Sequence, residues 1–179
     1  MQPTNQEELL YKIFSNVNDW LKFAEAKNAA LIAFNSAAIA GIMQAYPTDN
    51  PDLMVFKGIM IALFAISICV SIYTFLPVLS KTFNYQKVDE TKFETEKGKL
   101  NCLFYGHHCK ITSNQLLTLL NIKAPITNPV VPNLEMDIAD QIITNSEITM
   151  SKYKLFTFAG WLTFAGVVMG LVIVLINAF

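Results

Sequence analysis

Four residues with metal-binding side chains lie close together in this sequence: Cys102, His107, His108 and Cys109. Thiolate and imidazole groups hold zinc when spaced pairs of them converge on one point. The spacing here matches no zinc motif, and the adjacent side chains of His107, His108 and Cys109 diverge on most backbones. We therefore expect no metal site and no metal cofactor.

Residue types suited to catalysis are present but are not arranged for it. The sequence contains no glycine-rich phosphate loop, no nucleophile elbow and no pair of catalytic carboxylates. The two histidines are adjacent, so they are not spaced to act with a distant nucleophile. We expect a protein that is not an enzyme.

The composition indicates an integral membrane protein. Apolar residues make up 53% of the chain and charged residues 15%, which is too hydrophobic for an ordinary soluble domain. The formal net charge is -1 and all 13 basic residues are lysines. A nucleic-acid partner requires a concentrated basic face, so we expect none.

The C-terminal part of the chain predicts one long helix from Asn133 to Ala178. No ionisable side chain occurs from Leu155 to Ala178, and as a helix this segment spans roughly 36 Å, more than a hydrocarbon core of about 30 Å. The preceding half has apolar residues at helical spacing between acids and amides. Because no proline or glycine falls between Leu134 and Ala159, the helix is expected to pass from water into the bilayer without a break.

The whole chain predicts an all-α integral membrane protein with three transmembrane helices, long cytoplasmic helical extensions and a small cytoplasmic helical region. Thr4 and Glu7 have the form of a capping box at the start of the first helix. Ser113 is expected to cap a short cytoplasmic helix, and the proline-containing residues 46–52 reverse the chain between two spans. The predicted segments are an amphipathic cytoplasmic helix at 1–26, transmembrane helices at 27–46, 54–79 and 155–178, and a cytoplasmic sensing region at 80–154.

The distribution of lysines predicts the orientation. Lys12, Lys22 and Lys27 precede the first span and nine more lie between Lys81 and Lys154, whereas the turn and the C-terminal tail contain none. Because lysine and arginine concentrate on the cytoplasmic side, the N-terminus and the 80–154 region are expected in the cytoplasm. Three crossings satisfy this arrangement.

Small residues recur along one face of two predicted spans. Such faces let helices approach closely, within a subunit or between subunits, so we expect a homo-oligomer. Asn35 and Ser36 are polar at bilayer depth and should face protein, either in interhelical hydrogen bonds or as the lining of a pore in an assembled state. The residues assigned to packing are Ala33, Ala37 and Gly41 in the first span and Gly160, Gly166 and Gly170 in the third.

Three separated segments are similar to one known family. They are a polar helix that ends at the membrane, an aromatic pair followed by glycine, and a Gln-Ile, Asn-Ser and Lys-Tyr series that enters the last span. Together with Pro77 at the end of the second span, they resemble the transmembrane Pycsar effector family, PycTM. In this sequence they are residues 18–30, 103–106 and 140–155.

Two positions depart from the family pattern. Glu25 stands where aspartate is expected, which keeps the charge. His107 and His108 replace an acidic residue expected after Gly106, and this changes the local charge and the ligand that the segment could accept.

The resemblance implies a membrane effector of antiphage defence in the bacterial inner membrane. A partner cyclase would make cyclic UMP or cyclic CMP after infection, and binding of this nucleotide would impair the membrane and stop the growth of the infected cell, an abortive infection. The competing interpretation is a ligand-independent membrane scaffold or anchoring subunit for a soluble partner. A small constitutive channel is a third.

A cyclic mononucleotide requires a cation for its phosphate, a flat surface for its base and amide groups for the edge of the base. Lysines, aromatic residues and the pair Asn145 and Gln141 supply these groups. Each of them also has a structural alternative, because lysines beside a membrane mark topology and aromatic residues settle at its interface. The candidate ligand-binding residues are Phe104, Tyr105, Gly106, His107, Lys110, Gln141, Asn145, Lys152 and Tyr153.

Opposite charges at the starts of the first and third spans, where both helices enter the bilayer, predict ion pairs. Glu25 with Lys152, or Lys27 with Glu147, would hold the two helices in register. The alternative is that ligand binding breaks such a pair and so starts the response.

Overall fold

The computed structural model of this chain describes residues 5–45, 51–76, 85–124 and 132–178. Of these residues 88% are helical and none belongs to a strand. The all-α class is therefore confirmed for the described part of the chain. The helices are α1 Asn5–Ala45, α2 Pro51–Tyr73, α3 Glu90–Glu96, a 3-10 turn Lys97–Lys99, α4 Tyr105–His108, α5 Ser113–Lys123 and α6 Pro132–Ala178.

Three of these helices are long and apolar enough to cross a membrane, namely the segments Glu7–Gln44, Leu53–Tyr73 and Leu134–Leu175. The predicted number of three spanning helices is confirmed. The single C-terminal helix is also confirmed, because α6 runs for 47 residues without interruption. At the N-terminus the segments predicted at 1–26 and 27–46 form one continuous helix, α1.

The second span is shorter than predicted, because α2 ends at Tyr73 instead of residue 79. The hydroxyl of Thr74 donates to the carbonyl of Ser71 at 2.7 Å, and the Thr74 N–H bonds to the same carbonyl in a tight turn. Leu76 also precedes a proline, a position that disfavours helical backbone. Local hydrogen bonding and this restriction stop the helix.

The cap of α5 also differs from the prediction. Thr112, not Ser113, is the N-cap: its hydroxyl accepts the Gln115 N–H, and the Gln115 side chain accepts the Thr112 N–H, which completes a capping box. Ser113 is the first helical residue and donates to the carboxylate of Asp140. A box satisfies two backbone donors instead of one, which favours Thr112.

Several predictions concern residues outside the described ranges. These are the capping residue Thr4, residues 46–50 of the predicted turn, and Pro77.

The chain forms two compact units. The first comprises Met1–Phe23 and Val78–Ser151, and the second comprises Ala24–Pro77 and Lys152–Phe179. Both α1 and α6 therefore contribute to each unit without a break in the helix.

The first unit has an apolar core supplied by α1, α3, α5 and α6. Short connecting helices and the 3-10 turn bring these helices together around side chains that are fully or almost fully buried. This core gives the unit a fixed framework on which polar groups can be placed. Its most deeply buried members are Leu10, Ile13, Val17, Phe93, Ile111, Leu116, Leu119, Leu120, Ala139 and Ile142.

The second unit is a bundle of α2 with the C-terminal parts of α1 and α6. Ile42, Met60, Phe64 and Ile173 form a buried apolar cluster within it. Many large apolar side chains on the outside are exposed, as expected of helices that face lipid. They include Phe34, Val55, Phe56, Ile66, Phe158, Trp161, Phe164 and Leu171.

Candidate functional site

An aromatic cluster lies on the first unit where α1 meets the short helix α4. The ring centroids of Trp20 and Tyr105 are 5.6 Å apart, and those of Phe104 and Tyr105 are 5.0 Å apart. Phe104 also meets His107 edge to face at 5.3 Å. Tyr105 is buried, whereas Phe104 is 40% exposed and Trp20 is 39% exposed, so the cluster has ring surfaces available to a ligand.

The loop before α4 is held in position by amide side chains. The side chain of Asn101 accepts the N–H of Leu103 at 2.8 Å, and the amide of Asn16 on α1 donates to the Leu103 carbonyl at 2.9 Å. These bonds fix the backbone directly before Phe104. The ring of Phe104 is therefore placed by the loop as well as by its own packing.

Gly106 is required by the position of this ring. A Cβ at residue 106 would lie 2.5 Å from a Phe104 ring carbon and 3.2 Å from the methyl group of Met150 on α6. The first distance is a clash, so any larger side chain would displace the ring. The predicted aromatic pair and glycine thus form one packed group with α6.

His107 lies in a positive environment beside the exposed ring. Partial burial lowers its pKa, and the positive charges of Lys110 and Lys123 lower it further. The backbone N–H of Asn101 donates to Nδ1 of His107 at 2.8 Å, which places the proton of the neutral ring on Nε2. An N–H donor and two exposed lysines are therefore near one aromatic surface.

His108 points the other way, into the core, and is fully buried. Its Nε2 is 2.8 Å from the carbonyl of Cys102, and its Nδ1 is 3.4 Å from the hydroxyl of Ser146 on α6. Burial lowers the pKa of His108 to about 4. His108 is thus a neutral structural link between the 101–104 loop and α6.

The two predicted amides occupy different places in the first unit. Asn145 donates to the side chain of Asn18 at 2.7 Å and so joins α6 to α1. Gln141 lines a cavity of about 150 Å³ together with Tyr11, Phe14, Asp137 and Ile138. The acidic Asp137 in that cavity disfavours a phosphate there.

Glu147 has a partner other than the one predicted. It pairs with Lys87 at 2.5 Å, and Lys87 also donates to the carbonyl of Cys109 at 3.1 Å. One turn further along α6, the hydroxyl of Ser151 is 2.9 Å from that of Tyr85. Within the first unit, the segment before α3 therefore supplies the partner of Glu147, and the pair Lys27–Glu147 stays a prediction.

The pair between Glu25 and Lys152 is present in the second unit, at 2.6 Å. The Lys152 side chain is 11% exposed and that of Glu25 is 41% exposed. The ammonium of Lys152 also lies 5.9 Å from the ring centroid of Phe75. Residues from all three chain segments of the bundle thus meet at one end of it.

Lys27 and Tyr153 also meet in the second unit. The ammonium of Lys27 lies 5.3 Å from the Tyr153 ring centroid and 5.4 Å from that of Phe156, a cation–π arrangement. Of the candidate ligand residues, Lys152 and Tyr153 therefore belong to the second unit, and the other seven belong to the first unit.

Asn35 joins all three helices of the bundle. Its amide donates to the hydroxyl of Ser67 at 2.8 Å, and its carbonyl accepts the hydroxyl of Thr163 at 2.9 Å. Ser67 in turn donates to the carbonyl of Ala159 at 2.9 Å. Ser36, by contrast, is exposed, since the next residue of a helix points about 100° away.

The two small-residue faces that were predicted to pack against helices have different surroundings in the structure. Gly166 lies against the ring of Phe64, and Gly170 lies against the end of Met60. Nothing lies within 4 Å of a Cβ at Gly41 or Gly160. Ala33, Ala37 and Gly41 are exposed because α1 turns the opposite face inward, so packing of this face within the chain is not observed. Contact between copies through it stays a prediction.

Among the described residues, no group of three or more histidine, cysteine or acidic side chains is placed to hold a metal ion. Cys109 Sγ instead donates to the carbonyl of Gly106 at 3.3 Å. His107 and His108 have the separate surroundings described above.

Sequence reasoning missed several residues of these sites. Trp20 and Lys123 reach the aromatic cluster through the tertiary fold, and no local pattern indicates this. Lys87 likewise reaches Glu147 through the tertiary fold, and no local pattern indicates this contact. Ser67 had a usable signal, since it is a polar residue at bilayer depth and such residues bond to protein.

Comparison with known proteins found one family. The model of the Pycsar effector protein domain, PycTM, matches residues 9–178. No curated protein and no solved structure matches this chain.

Proposed function

The chain belongs to the PycTM family of Pycsar effector proteins, and from this premise we propose that cyclic UMP or cyclic CMP activates it. Membership implies a membrane effector of antiphage defence that answers a cyclic nucleotide made by a partner cyclase. The proposal adds that the activated protein, as a homo-oligomer in the inner membrane with a cytoplasmic N-terminus, impairs that membrane and stops growth of the infected cell.

The observation that carries the proposal is the surface formed by Phe104, His107, Lys110 and Lys123, here called the Phe104 patch. It combines an exposed ring, an N–H donor and two positive charges that act on His107. A cyclic pyrimidine nucleotide has a flat ring and one negative charge, so its chemistry complements this surface.

The groups of the patch suggest how the ligand lies. The pyrimidine stacks on Phe104, an interaction worth about 1–3 kcal/mol for a base on an aromatic ring. The phosphate lies towards Lys110 and Lys123, which act as point charges. Nε2–H of His107 donates to an oxygen of the nucleotide.

A bound ligand is connected to α6 through packed groups. Phe104 lies on Gly106, which is beside Met150 of α6, and the neighbouring His108 faces Ser146. Because α6 continues without a break into the bundle, a shift at its N-terminal half reaches the membrane half. Moving a switch from mostly off to mostly on takes about 5.5 kcal/mol of differential affinity, which several linked subunits supply together.

Isothermal titration calorimetry on the detergent-purified full chain tests the site. Cyclic UMP, cyclic CMP and cyclic AMP are titrated in turn, and we expect saturable binding of a pyrimidine nucleotide. Phe104→Ala is expected to weaken binding by roughly 5- to 150-fold through loss of stacking. Lys110→Gln and Lys123→Gln should each weaken it about tenfold through loss of a charge-assisted contact.

Two exposed residues of the same unit provide matched controls. Lys92→Gln removes a surface lysine and Tyr11→Ala removes a ring that is 50% exposed, and neither should change the affinity. Loss of binding in Tyr11→Ala alone would place the ligand in the cavity beside Gln141 instead. If no nucleotide binds the wild-type chain, the scaffold interpretation replaces the sensor.

A further inference from the structure

The interior of the bundle is polar along one part and apolar along the other. On α1 the inward positions Asn28, Asn35 and Ile42 are seven residues apart, so they lie on one face. We call the polar set the column and the apolar set the plug. The column consists of Asn28, Asn35, Ser67, Ser71 and Thr163, each no more than 7% exposed, and the plug consists of Ile42, Met60, Phe64 and Ile173.

The contacts order these residues along the bundle. Asn35 bonds to Ser67, and Ile42, seven residues later, packs with Met60, seven residues earlier. The two helices therefore run antiparallel, with the column on one side of the plug. Asn28 lies roughly 10 Å from Asn35 along α1, away from the plug, and Ser71 lies roughly 6 Å from Ser67 in the same direction.

Two oxygen atoms of the column are buried and have no hydrogen-bond partner, Oδ1 of Asn28 and Oγ of Ser71. Both residues are 0% exposed. The bonds among Asn35, Ser67 and Thr163 are sufficient to hold three helices together, so they do not account for these two oxygens. An unpaired polar group inside a membrane protein is strongly unfavourable unless another group binds to it.

We propose that the column binds small monovalent cations and water and forms an ion path through the bundle of one chain, closed by the plug. Neutral amide and hydroxyl oxygens are groups that can replace the hydration shell of such ions. The proposal rests on the proposed function, because it makes the membrane damage a selective ion leak instead of rupture of the bilayer.

Potassium efflux from proteoliposomes that contain the full chain tests the path without any nucleotide. Phe64→Ala removes the ring that lies against Gly166 and should open the plug, which raises efflux at least tenfold over wild type while entrapped carboxyfluorescein is retained. Phe164→Ala is the matched control, since this ring lies two residues from Gly166 and is 59% exposed. It should leave efflux unchanged.

A second substitution separates the path from a simple packing defect. Adding Asn35→Leu to Phe64→Ala removes polar groups of the column and should return efflux to the wild-type rate. The matched addition is Ser36→Leu, at an exposed neighbouring position. This addition should leave the efflux of Phe64→Ala raised. Size-exclusion and circular dichroism verify folding, and Met60→Ala replaces Phe64→Ala if that variant does not fold.

The proposal is overturned if dye and potassium escape together, if Asn35→Leu leaves the efflux unchanged, or if folded plug variants remain as tight as Phe164→Ala. In the last case, nucleotide binding to the wild-type chain decides whether the proposed function survives. Binding together with tight vesicles rejects the ion path alone, whereas the absence of binding rejects the sensor.

Discussion

Adjacent residues in α4 have opposite environments. His107 is partly exposed beside Lys110 and Lys123, whereas His108 is fully buried between Cys102 and Ser146. Successive residues of a helix point about 100° apart, so one of two identical neighbouring side chains can lie at the surface and the other in the core. The histidine pair therefore supplies one surface donor and one buried link.

The buried histidine predicts a pH-dependent stability. Burial lowers the pKa of His108 from 6.5 to about 4. Between these values the unfolded chain binds a proton at this residue and the native chain does not, so the unfolding free energy is expected to fall as pH drops from about 6.5 to about 4. The full effect is about 3 kcal/mol. Thermal unfolding followed by circular dichroism over this pH range measures it.

His108→Gln should flatten this pH dependence, because glutamine does not titrate. His107→Gln serves as the control and should keep most of it. An equal slope in wild type and His108→Gln would show that other groups control the acid sensitivity.

At the scale of helices, ion pairs differ in burial and therefore in how much they contribute to stability. The pair Glu25–Lys152 joins α1 to α6 with the lysine side chain 11% exposed, whereas Asp19–Lys22 lies within α1 with side chains 67% and 76% exposed. An exposed pair contributes little, and breaking a partly buried one leaves a charge without its partner. Only the first pair is expected to hold helices in register.

Charge exchange tests this difference. Glu25→Lys alone places two ammonium groups together and should lower the unfolding free energy by about 2 kcal/mol, between the values for exposed and buried pairs. Adding Lys152→Glu restores opposite charges and should recover most of the loss. Thermal unfolding in detergent gives the coupling energy of the pair.

The same exchange at Asp19 and Lys22 should change stability by less than about 0.5 kcal/mol. If the double exchange at Glu25 and Lys152 recovers nothing, their contact does not set the register. If it recovers stability but not the proposed growth arrest, breakage of this pair is not the trigger and one of the two residues acts through another contact.

At the scale of the whole molecule, the charges predict an orientation. Positive residues concentrate in the N-terminal helix and between residues 81 and 154, and the first unit contains most of them. Because such residues stay on the cytoplasmic side, this unit is expected in the cytoplasm and the C-terminus outside it.

Reporter fusions measure the orientation. Alkaline phosphatase, which folds actively only outside the cytoplasm, should be active when fused after the last residue and inactive when inserted after the exposed Gly98. A green fluorescent protein at the same two positions should give the opposite pattern. Activity of the phosphatase at Gly98 would reverse the predicted topology.

The sequence by itself determined the helical class, the three spanning helices and the continuous α6. These depend on runs of apolar residues and on the absence of helix breakers, which act within a few turns of chain. The three short segments were also sufficient to indicate the family. The end of α2 and the cap of α5 were wrong because side-chain hydrogen bonds of Thr74 and Thr112 compete locally with the expected pattern.

Only the tertiary structure decided which residues meet. It placed Lys123 and Trp20 near the aromatic cluster that contains Phe104 and paired Glu147 with Lys87. It also turned Ala33 away from the interior of the bundle. Such contacts depend on how each helix is rotated about its own axis. That rotation minimises buried unpaired polar groups and voids over all helices at once, so it cannot be calculated from the spacing within one helix.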